Sequence, residues 1–315
     1  MSNKDARFLS KVACWYYNDD LNQEEIARRT RLSRSTVSRL LRRARREGIV
    51  SITVNFPDAT ESSLEQRLEE VFHLKEAVVA TSSYSQDLTA LLGRAAAAYL
   101  QRAIQPGDNV GIAWGHTLWH TVTSLRGTTI RDVSCIQLTG GVGIASNRTD
   151  ASEHVRTLAA RIGGKPYVLH APFHVDSEEF LHTLSTVPVI TEVLEKMKHL
   201  NMAVVSVGSM DGDAGLIRHN VFPPETVRAG AAMGAVGEMC GRLYDDQGNL
   251  DIRLPGKVPF GISLEELQRL GHVVAAAGGM SKVPAILAAL KNGLINVLIT
   301  DSATAEALLA RVKQR

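Results

Sequence analysis

Nine arginines and no acidic residue lie between Arg28 and Arg46. Clustered positive charge of this kind neutralises phosphates along nucleic acid. Ser33 is a helix-capping residue, and Val37, Leu40, Leu41 and Ala44 follow it at helical spacing as far as Glu47, with Gly48 as the stop. Arg34, Ser35, Thr36, Ser38 and Arg39 occupy the first turns, opposite the Val37/Leu40/Leu41 face. Arginine can donate two hydrogen bonds to O6 and N7 of guanine, and Ser or Thr hydroxyls reach bases or phosphates. Arg42, Arg43, Arg45 and Arg46 lie further along and are expected to reach phosphates. A solvated basic face on a small bundle is the plainer reading, and the agreement between turn, caps and arginine placement disfavours it.

A second set of chemistry-bearing residues follows short apolar runs. Val110–Ala113 leads into Trp114-Gly115-His116-Thr117, and Val133–Leu138 leads into Thr139-Gly140-Gly141-Val142-Gly143. Ala203–Val207 leads into Gly208-Ser209-Met210-Asp211-Gly212-Asp213, and Val273–Ala276 into Ala277-Gly278-Gly279-Met280-Ser281-Lys282. Glycines let backbone approach an anion, and N–H groups at a helix start point toward it. Lys282 adds a positive charge and Thr117 a hydroxyl. Several such segments on one edge suit a phosphorylated or polyhydroxylated small molecule. Neither GxxxxGK[ST] nor GxGxxG occurs, so an NTPase loop and a dinucleotide fingerprint are unsupported.

The histidine pairs His116/His120 and His170/His174 are each four apart, and Pro172 interrupts the second. Zinc needs three or four ligands, and no HExxH accompanies either pair, so no metal or cofactor is expected. No GxSxG elbow supports nucleophilic catalysis. Glu238, Asp211 and Asp213 could serve as acid or base, or equally accept hydrogen bonds from sugar hydroxyls.

These residues need elements to hold them. Asp5–Tyr17 reads as a helix, and Asn22 with Glu25 opens a short second one, Gln23–Arg29, through a capping box. With the arginine-rich third helix they form a helix-turn-helix unit, whose last helix enters the major groove N-terminus first. Ile49–Val54 alternates like a strand and suits either the wing of a winged helix or a segment leading out of the domain. Residues 55–62 are polar, contain Pro57 and read as a linker. Ser63–Phe72 reads as a helix packing through Leu64, Leu68 and Val71. From residue 76 apolar runs, including Ala77–Ala80, Tyr167–Leu169 and Val297–Thr300, alternate with helical patterns, which implies a largely parallel sheet covered on both faces. The expected organisation is a helix-turn-helix domain over 1–54, a linker over 55–62 and an α/β domain over 63–315.

The net charge of +2 divides unevenly. Residues 1–50 carry 12 basic and 6 acidic side chains, and the remainder 23 and 27. A basic head on a mildly acidic body fits nucleic-acid binding by the head alone. Three distant cysteines without a CxxC pair suggest buried, reduced thiols. No run suits a membrane span and the N-terminus lacks a secretory pattern, so a cytoplasmic protein is expected.

The ordered set Asn22-Gln23-Glu24-Glu25-Ile26-Ala27, Leu32-Ser33-Arg34-Ser35-Thr36-Val37-Ser38-Arg39-Leu40-Leu41, Gly111-Ile112-Ala113-Trp114-Gly115-His116-Thr117, Gln137-Leu138-Thr139-Gly140-Gly141, Gly234-Ala235-Val236-Gly237-Glu238, Ala277-Gly278-Gly279 with Lys282, and Asn296–Asp301 resembles the SorC family of sugar-responsive bacterial regulators over nearly the whole chain. The resemblance implies a body related to sugar-phosphate isomerases, a phosphosugar-like effector and a homotetramer. It implies an effector site of Gly115, His116, Thr117, Gln137, Thr139, Gly140, Gly141, Glu238 and Lys282. Some members carry an imine-forming lysine at the middle of QLxGG. Thr139 stands there in this chain, which excludes a covalent complex at that position. The usual short GIGS-type loop appears as Val207–Asp213. The expected function is regulation of carbohydrate catabolic genes on double-stranded operator DNA. The alternatives are an isomerase-like enzyme with a basic appendage, for which Glu238 is the candidate base, and a structural DNA-binding protein without effector.

Overall fold

Three helices bury their apolar stripes against each other in the first of two units, Met1–Pro57. They are α1 (Asn3–Tyr17), α2 (Gln23–Thr30) and α3 (Arg34–Arg46). The computed structural model describes residues 3–50, 59–81, 87–142, 150–212 and 214–313. Asn22 caps α2 by accepting from the N–H groups of Glu24 and Glu25, while Glu25 accepts from the Asn22 N–H at 2.8 Å. Arg31 ends α2 in the left-handed region, with φ 56°, and the chain turns into Ser33, whose hydroxyl accepts the Thr36 N–H. Val12, Ile26, Ala27, Val37 and Leu41 form the centre of this small core. Leu9, Ala13 and Ala44 extend it. Most of the expected wing strand, from Ser51 on, lies outside the described residues.

The second unit, Asp58–Arg315, begins with α4 (Ala59–Phe72). This helix starts four residues before the expected Ser63, because Ala59 and Glu61 favour helix once Pro57 is passed. Val71 was expected to pack with Leu64 and Leu68, but it is exposed. Leu64 and Leu68 are four apart, and Phe72 continues their line into the core. Next come β1 (Glu76–Ala80), α5 (Leu88–Ala103), β2 (Asn109–Ile112), α6 (His116–Ser124), β3 (Ser134–Gln137), α7 (Ala151–Ile162), β4 (Lys165–Tyr167), β5 (His174–Val175), α8 (Glu178–Ser185) and α9 (Pro188–Met197). Then follow β6 (Met202–Val205), β7 (Gly208–Ser209), α10 (Gly215–Arg218), α11 (Pro224–Ala232), β8 (Gly237–Met239), β9 (Arg242–Tyr244), β10 (Val258–Pro259), α12 (Leu264–Arg269), β11 (Val273–Ala276), a 3-10 turn at Met280–Lys282, α13 (Val283–Lys291), β12 (Val297–Asp301) and α14 (Ser302–Lys313).

Seven strands form one sheet in the order β1-β12-β11-β6-β2-β3-β4. Every pairing in it is parallel. Strands β6, β11 and β12 are buried at every residue, as a sheet covered on both faces requires. Edge strand β4 begins at Lys165, two residues before the expected Tyr167, and Pro166 is tolerated there because an edge need not donate on its outer side. Two small sheets accompany the main one. Strands β7, β8 and β9 are antiparallel neighbours, and β5 pairs with β10. Cys135 and Cys240 are buried free thiols, as expected, but Cys14 is exposed, since it faces away from the core side of α1.

Gly261 has a φ of +134°, and a Cβ on it would lie 2.2 Å from the Leu138 carbonyl oxygen. It sits where the loop after β3 pairs through a Thr139–Gly261 bridge. Gly261→Ala is therefore expected to destabilise the second unit by about 3 kcal/mol. An unchanged denaturation midpoint would show that this close approach is not needed.

Candidate functional site

From β2 the chain steps to β3 and β4 toward one edge of the sheet. From β6 it steps to β11 and β12 toward the other. Strands β2 and β6 are neighbours, so the reversal leaves a crevice beyond their carboxyl ends, where ligands of open α/β sheets bind. Gly115 follows β2 there with φ +127°, and a Cβ would come within 3.4 Å of Ser206 Oγ after β6. Gly115 is the N-cap of α6, and no side chain caps that helix. The first N–H groups of α6 thus face the crevice without a side-chain acceptor, an arrangement suited to an anion.

Trp114 packs edge-on against Phe173 at 5.5 Å and His219 at 6.2 Å. His219 in turn lies 5.0 Å from His116. Glu238 enters from β8, opposite Gly208 of β7. A Cβ at Gly208 would lie 2.6 Å from Glu238 Oε2, so that position must stay bare. Glu238 is buried and accepts from the Gly241 N–H at 2.6 Å and from the Trp114 side chain. Burial pushes its carboxyl up to about 7, against the pull of those donors and of Lys282. Burial, aided by the Arg218 charge, pulls the Lys282 ammonium down to about 8, while Glu238 and Asp211 oppose the shift. His219 is pulled down to about 4, first by burial and then by His116, Arg218 and Lys282. Four cation-capable groups therefore crowd one place and repel each other.

The loop carrying Lys282 is pinned from β12. Asp301 Oδ2 accepts from the Gly279 N–H at 3.1 Å and from Thr304 Oγ1 at 2.6 Å. Gly279 also donates to Thr304 Oγ1 at 2.7 Å. A side chain at Gly278 would collide with Asp301 Oδ2, at 2.3 Å.

Gly115, His116, Glu238 and Lys282 thus converge, with Thr117 buried in the first turn of α6. The loop after β3 forms the adjoining wall, but its polar groups are used differently from the expectation. The Gly140 N–H donates to the Phe260 carbonyl and the Gly141 N–H to the Ala171 carbonyl, so these amides do not cradle an anion. Gly140 is bare for another reason, since a Cβ there would lie 2.0 Å from the Pro172 oxygen. Gln137 spans the same loop, donating to the Thr139 carbonyl at 2.6 Å and accepting the Leu169 N–H at 3.1 Å. Thr139 is fully buried and its hydroxyl has no hydrogen-bond partner among the described residues. Gly143 and Asp213 lie outside the described residues. Arg218 and His219 were missed from sequence, because the four-residue α10 that brings them in carries no periodic signal.

On the head, Ser35 and Arg39 are exposed, as are Arg34 and Arg42, and Ser38 and Thr36 are half-buried. Ser33 Oγ lies 2.8 Å from both Ser35 Oγ and Thr36 Oγ1. Arg43 Nε donates to Glu47 Oε1 at 2.7 Å. Arg45 donates to Tyr17 Oη at 2.8 Å and stacks on that ring, because Tyr17 at the end of α1 lies within its reach. Arg29 likewise stacks on Trp15, 4.6 Å from the ring centre.

A helix-turn-helix head and an α/β body with an anion-suited crevice define the class of ligand-responsive transcription regulators. A family model described as a putative sugar-binding domain matches residues 58–310, and sigma-70 region 4 matches residues 10–47. The chain is 31% identical to the sorbitol operon regulator of Klebsiella pneumoniae, covering 98% of this chain and 99% of that one. It is also 31% identical to the deoxyribonucleoside regulator of Bacillus subtilis, with the same coverage. The full-length crystal structure of the Klebsiella pneumoniae regulator SorC superposes with a TM-score of 0.74 at 30% identity, covering 98% of this chain and 100% of that one. The chain belongs to the SorC family, and it is a transcription regulator rather than an enzyme.

The Glu238 carboxyl gives a pH signature. Its folded-state pKa lies above the ordinary value of 4.5, so its neutral form favours folding below that pH, and this contribution is lost as pH rises through about 7. Glu238→Gln keeps an acceptor for the Gly241 N–H without the titration. Relative to the parent, it is expected to be more stable at pH 8 than at pH 5. A stability difference that does not vary between those pH values would overturn the assignment.

Proposed function

We propose that the body binds a phosphorylated sugar or sugar alcohol, and that binding changes the head's affinity for double-stranded operator DNA ahead of carbohydrate catabolic genes. The crowding of Lys282, Arg218, His116 and His219 beside the uncapped start of α6 carries this reading. A phosphate would relieve their mutual repulsion. Glu238 and the unpartnered Thr139 hydroxyl suit the polar groups of a polyol. Relatives named for the sorbitol operon, for deoxyribonucleosides and for erythritol catabolism support the carbohydrate class. With threonine at position 139 the complex at that loop is non-covalent. The domain assignment of head over 1–54, linker over 55–62 and body over 63–315 accompanies this reading, as do a homotetramer and a cytoplasmic location beside the DNA.

Effector coupling to DNA binding is typically 1–3 kcal/mol, about 5–150-fold in affinity. Lys282→Ala is expected to leave DNA affinity near the parent value and to abolish the change caused by sugar phosphates. Gel-shift titrations with and without a panel of pentose, hexose and alditol phosphates measure both quantities, and a normal response from the variant would overturn the site. The Lys282 ammonium loses its proton near pH 8, so phosphate affinity is expected to fall as pH rises from 7 to 9. Calorimetric titration measures that slope, and Lys282→Arg should flatten it.

A further inference from the structure

Helix α3 turns by about 100° per residue. The residues buried against α1 and α2 are Val37, Leu41 and Ala44. The opposite line carries Ser35, Arg39, Arg42 and Arg46, at steps of four, three and four, and all four are exposed. Arg34 lies seven positions before Leu41, within about 20° of it around the helix, and so on the flank of the buried face rather than on the opposite line. There it shares a hollow with Tyr16, Asn22, Gln23 and Glu24 at the junction of α1 and α2.

Four other polar side chains of the helix are held. Arg43 is tied to Glu47 and Arg45 to Tyr17. The Ser35 and Thr36 hydroxyls are tied to Ser33. Among the described residues, Arg39 and Arg42 have no hydrogen bond or ion pair, and both project from the free face one turn apart. Two unpaired guanidinium forks in that placement match the O6/N7 edge of guanine. Arg46 stands a turn further from the helix start, where the groove wall brings phosphate instead.

We infer that Arg39 and Arg42 read base pairs in the major groove, and that Arg34 sets the angle between α2 and α3 without contacting a base. This rests on the DNA-binding reading above. It moves discrimination away from the first residue of the helix, where the sequence alone placed it.

Selection of bound duplexes from a randomised library with the full-length protein tests the inference. The variants are Arg39→Ala, Arg42→Ala, Arg34→Ala, Arg39→Lys and Arg42→Lys. The parent should enrich a motif containing guanines. Each alanine variant at 39 or 42 should lose preference at one base pair per half-site, discriminating there by under about twofold where the parent discriminates tenfold or more. The lysine variants keep the charge, so they should bind at low salt yet show the same loss. Arg34→Ala should enrich the parent motif with uniformly weaker binding. Parent-like motifs from both alanine variants, or a motif position lost only in Arg34→Ala, would overturn the inference. A parent protein that enriches no motif overturns the regulator reading and this inference with it.

Discussion

Strands β2 and β6 are neighbours whose onward connections leave toward opposite edges, and a crevice opens beyond their carboxyl ends. The body's chemistry depends on that gap. Burial elsewhere in the sheet is nearly complete, with β6, β11 and β12 closed at every position. Polar and charged groups can be concentrated only where the packing is interrupted. The gap also explains the bare positions around it: a Cβ at Gly208 or Gly278 would press on Glu238 or Asp301, and Gly115 turns with φ +127°. These glycines make room for specific partners, and the anion is left to the helix start and the cations.

Charge of both signs is concentrated in the gap, with Glu238 and Asp211 beside Lys282. Arg218 and Lys282 lower the proton affinity of His219, while the buried Glu238 carboxyl is itself pushed toward neutrality by burial. The Asp301–Thr304–Gly279 contacts fix the backbone leading to Lys282. Positive charge on a rigid support is preorganised for an anion, because little has to move when the counter-charge arrives.

Much of this was legible in the amino-acid order. The head follows from Asn22, Glu25 and Ser33, whose capping chemistry is local and was read directly. The central strands follow from apolar runs too continuous to be half-exposed. What escaped was non-local. Arg218 and His219 arrive on one turn of helix, and Arg45 finds its partner 28 residues away on α1. The glycines after β3 were legible as glycines but not in their purpose. Only the fold shows that Pro172 and Phe260 lie against them. Small antiparallel sheets such as β7-β8-β9 carry two- and three-residue strands, too short for alternation to show.

The pairing of β1 with β12 joins Glu76 to Val297 across most of the chain. During synthesis the N-terminal segment emerges first, and a three-helix unit of local contacts needs nothing further to fold. The large sheet must wait: its first strand stays without a neighbour until its last has been made. For that interval a nascent chain presents a finished head on an unfinished sensor. A message cut short before residue 297 would leave β1 unpaired and β11 open on one side, two exposed apolar edges of the kind that drive aggregation. Completion of β12, Val297–Asp301, is thus a checkpoint: it joins the sheet and covers the edges that would otherwise aggregate, before a metabolite can be sensed at all.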